Sequence, residues 1–296
     1  MRIVVAGSSG LVGSALVAAL RADGHDVLRL VRREARGDDE LRWDPGQPLD
    51  PAGLSGVDAA VNLAGAGVGD HRWTDSYKRT LIDSRLSSTH TLATALAAAT
   101  PRPAVLINAS AIGYYGEGGD AELDETSPAG TDFLAGLCER WEAATAPAEA
   151  ANIRVVHIRT GLVVSKRGGA WARMFPIFRF GLGGRLGSGK QWWSPISLTD
   201  EVRAIQFLLS AEQVSGPVNL TGPEQLTNAG VTTVMSRVLN RPALFPAPKI
   251  GLRLVLGEFA TEPLRSQRVL PRALQAAGFT FTHPTVEAAV RAALAE

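Results

Sequence analysis

The sequence predicts an α/β fold: a doubly wound parallel sheet of the Rossmann type with a smaller, mainly helical C-terminal lobe. Three observations carry that expectation. Apolar, strand-type runs recur at residues 2–6, 26–31, 58–63, 104–109 and 153–158, with helix-patterned stretches between most of them. Such alternation means parallel strands joined by crossover helices. A glycine turn, Gly7-Ser8-Ser9-Gly10-Leu11-Val12-Gly13, stands directly between the first strand and the first helix. Beyond Gly161 the pattern changes to a Gly-rich, aromatic stretch and then to further helices. The expected division is a sheet-bearing domain over residues 1–165, to which 197–222 return, and a discontinuous lobe built from 166–196 and 223–296.

The elements follow in chain order. Ile3-Val4-Val5-Ala6 makes the first strand, and the glycine turn comes straight after it. Glycine is needed where a tight strand-to-helix turn uses backbone angles closed to other residues. It also lets a pyrophosphate approach the N–H groups of a helix N-terminus, where the dipole favours negative charge. Gly7, Ser9, Gly10, Leu11, Val12 and Gly13 are therefore read as a dinucleotide site; outside this strand-and-helix context the same run would be a surface turn. Leu11, Ala15, Ala18 and Ala19 give the first helix its apolar face, and Asp23-Gly24-His25 closes it.

The second strand ends in Val31-Arg32-Arg33. An NAD-preferring domain would usually place an acidic residue there for the adenosine ribose, whereas guanidinium groups match a 2′-phosphate bidentately, so the expected cofactor is NADP(H). The alternative is that both arginines simply solvate a strand end. Asn62-Leu63-Ala64-Gly65 closes the next strand, with residues small enough to pass beside the riboses. A long helix over about 75–99 carries Tyr77, Leu81, Arg85, Leu92 and Leu96 near one face, and Arg85 is expected to approach the ribose from it. Ser110 ends the following strand, where a hydroxyl is placed to bond a substrate oxygen or, alternatively, only to form a turn. A helix over about 133–146 repeats Phe133, Leu137 and Trp141 every four residues as a core stripe.

Composition narrows the function. The 296 residues are 45% hydrophobic and 20% charged, with 30 basic against 29 acidic side chains. That is enough chain for a full core, and the balance of charge argues against nucleic-acid binding. One cysteine, Cys138, rules out an internal disulfide, and five scattered histidines show no metal-ligand spacing. No signal or transit segment opens the chain, and no apolar run reaches the ~18 residues of a membrane span. The expectation is a cytoplasmic protein with a small-molecule substrate, neither nucleic acid nor membrane as a partner, and no metal.

The Gly7/Gly10/Gly13 turn, Asn62-Leu63-Ala64-Gly65, and Ser110 ahead of Tyr115-Gly116 together resemble the extended short-chain dehydrogenase/reductases, which include nucleotide-sugar epimerases and dehydratases. Further segments narrow the resemblance: His71-Arg72-Trp73-Thr74, Ser84-Arg85, Leu137 to Glu142, Arg159-Thr160-Gly161, Gly181-Leu182-Gly183-Gly184 and Arg268-Val269-Leu270-Pro271. Over the whole chain they resemble an atypical, epimerase-like family that ends in a small domain of unknown function and is sometimes labelled a cell-division inhibitor. The resemblance implies an NADP-binding Rossmann core. Dimers are common among such relatives, and the helices beginning near 75 and 133 could pair in a homodimer.

One departure from the superfamily decides the chemistry. Its Tyr-x-x-x-Lys pair, in which the ammonium lowers the phenol pKa, is missing: Tyr77, Tyr114 and Tyr115 are followed four residues later by Leu81, Gly118 and Gly119. An unassisted phenol, with a pKa near ~10, is a poor base at neutral pH. Ala66 and Ser194-Pro195-Ile196-Ser197 also depart from the family pattern, replacing a glutamate and a histidine-bearing segment. Substitutes for the missing pair are Tyr114 or Tyr115 beside Ser110, or Glu142 or Glu139 if burial raises its pKa. Each has a plain structural alternative, packing for the tyrosines and a solvated helix face for the glutamates. Gly181 to Gly189, with Arg179, Arg185, Lys190, Trp192 and Trp193, reads either as a lid over the substrate or as a loose connection plugged by aromatics. The expected function is an NADP(H)-dependent oxidoreductase or epimerase that moves a hydride at a hydroxyl or carbonyl carbon. The alternative is a non-catalytic NADP(H)-binding redox sensor or partner-docking protein.

Overall fold

The structure is a computed structural model that describes residues 1–296, the side chain of Leu256 excepted. Seven strands form one sheet: β1 (Arg2–Ala6), β2 (Asp26–Val31), β3 (Glu40–Arg42), β4 (Ala59–Asn62), β5 (Val105–Ala111), β6 (Arg154–Thr160) and β7 (Gly216–Leu220). Their order is β7-β6-β5-β4-β1-β2-β3, and every neighbouring pair is parallel. The order reverses between β1 and β4. Such a switch point opens a crevice at the carboxyl ends of the strands, where open α/β sheets bind ligands.

Helices cover both faces. α1 (Leu11–Ala22), α2 (Asp75–Ala98) and α3 (Phe133–Ala143) come first, followed by α4 (Gly169–Arg179) and α5 (Leu198–Ser210). Side chains alternate across a strand, so β1 feeds two cores. Ile3 and Val5 pack with Leu16 and Leu20 of α1 and with Ile205 and Leu208 of α5. Val4 and Ala6 pack with Leu92 and Leu96 of α2 on the other face. The near-continuous apolar strands of the sequence are what a sheet buried on both faces requires.

Beyond the sheet lie α6 (Asn228–Leu239), α7 (Lys249–Leu256) and α8 (Val286–Ala295). A separate core, with Trp171, Phe175 and Phe178 of α4 against Val231 and Met235 of α6 and Val290 of α8, holds this smaller helical region together. Two strands of this sheet lie outside the five runs expected from the sequence. β3 is only three residues long, and Pro217 interrupts the apolar pattern of β7. The helix expected over 133–146 stops at Ala143, where the Thr145 hydroxyl donates to the Glu142 carbonyl at 2.7 Å and Pro147 follows. Among the described residues no helix is long and apolar enough to cross a membrane, and no group of three or more metal-binding side chains gathers.

The Gly-rich stretch is tied down by backbone hydrogen bonds. Gly187 N–H donates to the Ala247 carbonyl at 2.8 Å, Ala247 N–H to Arg185 at 2.9 Å, and Phe245 N–H to Gly183 at 3.1 Å. Trp192–Trp193 pairs antiparallel with Leu226–Thr227. These bonds satisfy backbone groups that a loose connection would leave to water.

Candidate active site

The glycine turn has the geometry its sequence demands. Gly7 adopts φ +77°, a conformation that disfavours any side chain, and a Cβ there would strike the Leu63 backbone. A Cβ at Gly13 would strike the Gly7 carbonyl, so this glycine is what lets α1 start so close to β1. Gly10 is different: only the Gly7 carbonyl, 3.4 Å away, borders its missing Cβ. No side chain caps the start of α1 at Gly10. Its first N–H groups therefore face an open cradle, which fits the pyrophosphate of a dinucleotide.

The turn after β4 is set beside this cradle by a buried amide network. Asn62 donates to Thr89 Oγ1 at 2.9 Å and to Asn108 Oδ1 at 2.8 Å, and its own carbonyl accepts the Ala64 N–H at 3.2 Å. Leu63, Ala64 and Gly65 are thereby fixed along the wall of the crevice. Gly65 lies on the stem of Arg85, where a Cβ would come within 3.2 Å of Cγ. Arg85 is 8% exposed, donates to the Leu81 carbonyl at 3.1 Å, and stands 4.9 Å from the centre of the Trp141 ring. Burial lowers its pKa, since no carboxylate offsets the lost hydration.

The two arginines after β2 are not equivalent. Arg33 is held by Glu40 through two hydrogen bonds of 2.6 Å. Those bonds, with the Arg36 N–H, hold the Glu40 carboxyl down at about 2. Arg32 is exposed and makes no ion pair or side-chain hydrogen bond among the described residues.

At the ends of β5 and β6 the structure brings together all four residues expected to do chemistry, around a fifth, Arg159, to which the sequence assigned no chemical role. Ser110 Oγ donates to Glu142 Oε1 at 2.7 Å. Arg159 grips the same carboxylate with Nε and Nη2, both at 2.9 Å. Its Nη1 donates to the Tyr115 hydroxyl at 3.1 Å, and that hydroxyl donates to Asn219 Oδ1 at 2.7 Å. The guanidinium carbon lies 3.4 Å from the centre of the Tyr114 ring, within cation–π range. Arg159 is only 3% exposed. Burial opposes its charge, but the Glu142 carboxylate more than offsets that, so its pKa lies above the ordinary value.

Tyr115 is buried, which drives its phenol up to about 12 despite Arg159. Tyr114 is half-buried, and its hydroxyl has no hydrogen-bond partner among the described residues. Cys138 is buried behind this group, 3.7 Å from the Ala111 carbonyl, and burial lifts its thiol to about 12. Burial therefore disfavours a nucleophilic thiolate at Cys138. Glu139 is exposed on α3 and takes no part. Tyr115 also borders a cleft of about 650 Å³, lined by Gly130, Asp132, Lys249, Arg253 and Arg265 among others.

Comparison with known proteins agrees with this geometry. Residues 3–221 match the NAD dependent epimerase/dehydratase family, and residues 247–293 match a domain of unknown function, DUF1731. The chain belongs to the NAD-dependent epimerase/dehydratase family. An epimerase family protein of Mycobacterium tuberculosis is 51% identical over 286 residues, covering 96% of this chain and 94% of the relative. The human epimerase family protein SDR39U1, in a crystal structure with NADPH, is 33% identical over the full length of both chains and superposes with a TM-score of 0.93. A nucleoside-diphosphate sugar epimerase from Corynebacterium glutamicum is 36% identical, with 99% of this chain and 58% of that one covered and a TM-score of 0.83.

As a member of this family the protein is an NAD(P)-binding epimerase or oxidoreductase acting on a small molecule. Arg159 and Asn219 are the site residues that sequence reasoning missed. The available signal was a charged residue inside an otherwise apolar strand, since an arginine on a strand buried on both faces needs an anionic partner.

Proposed function

We propose that the protein is a cytoplasmic, NADP(H)-dependent oxidoreductase or epimerase that works without a Tyr-x-x-x-Lys pair. Residues 1–165 and 197–222 hold the cofactor, and 166–196 with 223–296 shape the substrate side. The observation that carries the cofactor choice is the unpaired, exposed Arg32 beside an Arg33 already committed to Glu40. A free guanidinium at the end of β2 suits a 2′-phosphate, whereas a ribose 2′-hydroxyl would call for a carboxylate there. The NADPH in the human relative's structure supports the same choice.

When bound, NADPH supplies a hydride from its nicotinamide ring. The N–H groups at Leu11, Val12 and Gly13 receive the pyrophosphate, with Gly7, Ser9 and Gly10 shaping the turn, in which the Gly10 N–H donates to the Gly7 carbonyl at 3.1 Å. Asn62, Leu63, Ala64 and Gly65 form the ribose wall, and Arg85 lies beneath Gly65 as a buried cation without a carboxylate. Tyr114 is the residue placed to exchange a proton with the substrate oxygen, because its hydroxyl is uncommitted while that of Tyr115 is not. Ser110, Glu142 and Tyr115 act through Arg159, which they hold against the face of Tyr114.

A single-turnover reaction of bound NADPH with a panel of aldehydes, ketones and keto-sugars tests this reading. At least one compound is expected to oxidise the cofactor. Tyr114→Phe is expected to slow that transfer by ~100-fold or more without weakening NADPH binding. No transfer to any compound would leave a non-catalytic NADP(H)-binding protein instead.

A further inference from the structure

Nine large apolar side chains are exposed among the described residues, and all but Met1 fall on two short segments. Ile177, Phe180 and Leu182 lie on one, with Phe180 77% exposed; five more lie between Leu244 and Val255 on the other, with Leu244 and Ile250 each 75% exposed. The segments form one face. Arg241 Nε donates to the Arg179 carbonyl at 3.1 Å, and Phe245 N–H donates to Gly183. A lone exposed leucine means little, but a patch that collects nearly every exposed large apolar side chain on the chain marks an interaction surface.

The charge around this face has one sign. The whole chain is close to neutral, at +1, yet residues 166–199 and 225–257 hold ten Lys and Arg and no Asp or Glu. On the face itself Arg179, Arg185, Arg241, Lys249 and Arg253 are exposed and have no carboxylate partner among the described residues. Large aliphatic and phenylalanine side chains ringed by unpaired cations are the pattern of a surface that lies in a lipid headgroup layer. A second copy of the same face is a poor occupant, because a two-fold contact would set these cations against their own copies.

We propose that this face docks on the surface of an anionic lipid bilayer. Phe180, Phe245, Ile250 and Leu254 enter the boundary with the acyl chains, and Arg179, Arg185 and Arg241 pair with lipid phosphates. This is docking on the bilayer, not insertion across it. α7 contributes to both sides, since Lys249 and Arg253 also line the cleft beside Tyr115, so the docked helix is itself a wall of that cleft. The proposal is independent of the cofactor assignment.

Flotation of the full-length protein with phosphatidylcholine vesicles, with and without about one-third phosphatidylglycerol, tests it. Co-flotation is expected with the anionic vesicles only, and to weaken in about 0.5 M salt. The double variant Phe180→Ser/Phe245→Ser is expected to lose at least ~10-fold in vesicle binding, with an unchanged melting temperature and NADPH titration. Arg179→Gln/Arg241→Gln is expected to lose vesicle binding without exposing new apolar surface. Failure to float with anionic vesicles would overturn the proposal. So would sedimentation showing a dimer that the double phenylalanine variant dissolves, since the face would then belong to a second copy.

Discussion

Adjacent residues of β6 lead to two glutamates that are held in opposite ways, Glu142 half-buried and Glu201 fully buried. Arg159 and Thr160 project to opposite faces of the sheet, as the period of two requires. On the α3 face, Arg159 meets Glu142 through two hydrogen bonds of 2.9 Å, and Ser110 adds a third to the same carboxylate. On the α5 face, Thr160 meets Glu201, which is 1% exposed and accepts one hydroxyl hydrogen bond at 2.8 Å, while its other oxygen has no partner. Burial drives the Glu201 carboxyl up to about 8, so it is largely protonated at neutral pH. The strand supplies equal access to both faces; what differs is the partner, a guanidinium for Glu142 and a single hydroxyl for Glu201. The charged face is the one that borders Tyr114 and the cleft.

Removing one partner on the paired face is expected to have the largest effect. Glu142→Ala leaves the Arg159 guanidinium buried without its carboxylate and should cost about 3–5 kcal/mol of stability by urea unfolding. An Arg159→Met/Glu142→Met double variant, which removes both charges, should recover most of that loss. If the single variant were as stable as the parent, the two faces would not differ as described.

Activity sharpens the comparison between neighbours on that face. Tyr114→Phe should cost ~100-fold or more in the hydride-transfer step. Tyr115→Phe breaks the hydrogen bonds to Arg159 and Asn219, so it should cost about 1–2 kcal/mol of stability together with a smaller loss of rate. The reverse ranking of rates would make Tyr115 the proton carrier.

The next effect is smaller and lies at the far edge of the crevice. Arg32→Ala should weaken NADPH ~10-fold or more and leave NADH nearly unchanged, whereas Arg33→Ala should act weakly, since that guanidinium is already engaged by Glu40. Isothermal titration of the variants with both cofactors measures the ratio.

The unpaired face has a pH signature. Glu201 has its pKa raised from an ordinary 4.5 to about 8 in the folded protein, so the folded state holds a proton that the unfolded chain has released. Its contribution to stability is present below pH 4.5 and is lost as pH rises through about 8. The slope within that window is about 1.4 kcal/mol per pH unit. Glu201→Gln cannot ionise, and its stability relative to the parent should rise across the same window. A pH-independent difference between the two would show that Glu201 is charged in the folded state.

What the sequence revealed of this arrangement depends on how local each feature is. The glycine turn was legible because strand, turn and helix lie within about twenty residues, and Gly7 and Gly13 report backbone contacts that only glycine permits. Ser110 beside Tyr114 and Tyr115 was legible, but their joining to Glu142 was not, because Arg159, which links the tyrosines to that carboxylate, comes from the next strand. The inequality of Arg32 and Arg33 was hidden for the same reason: Glu40 sits on β3, a strand too short to show in the pattern. The apolar face does not show as an apolar run because Phe180 and Phe245 are distant in the chain, and their segments are joined by the Arg241–Arg179 bond and by the backbone bonds between 183–187 and 245–247. Short elements and long-range partners are what a periodic pattern cannot carry.

The proposed selection of a 2′-phosphate by Arg32 at the carboxyl end of β2 sets the cofactor and hence the orientation of the whole site. A fluorescence titration of the purified protein with NADPH and with NADH, repeated for Arg32→Ala, tests it most directly. The parent is expected to bind NADPH more tightly than NADH, with that preference largely lost in the variant. Equal binding of the two cofactors by the parent, or a preference that survives the loss of Arg32, would contradict it.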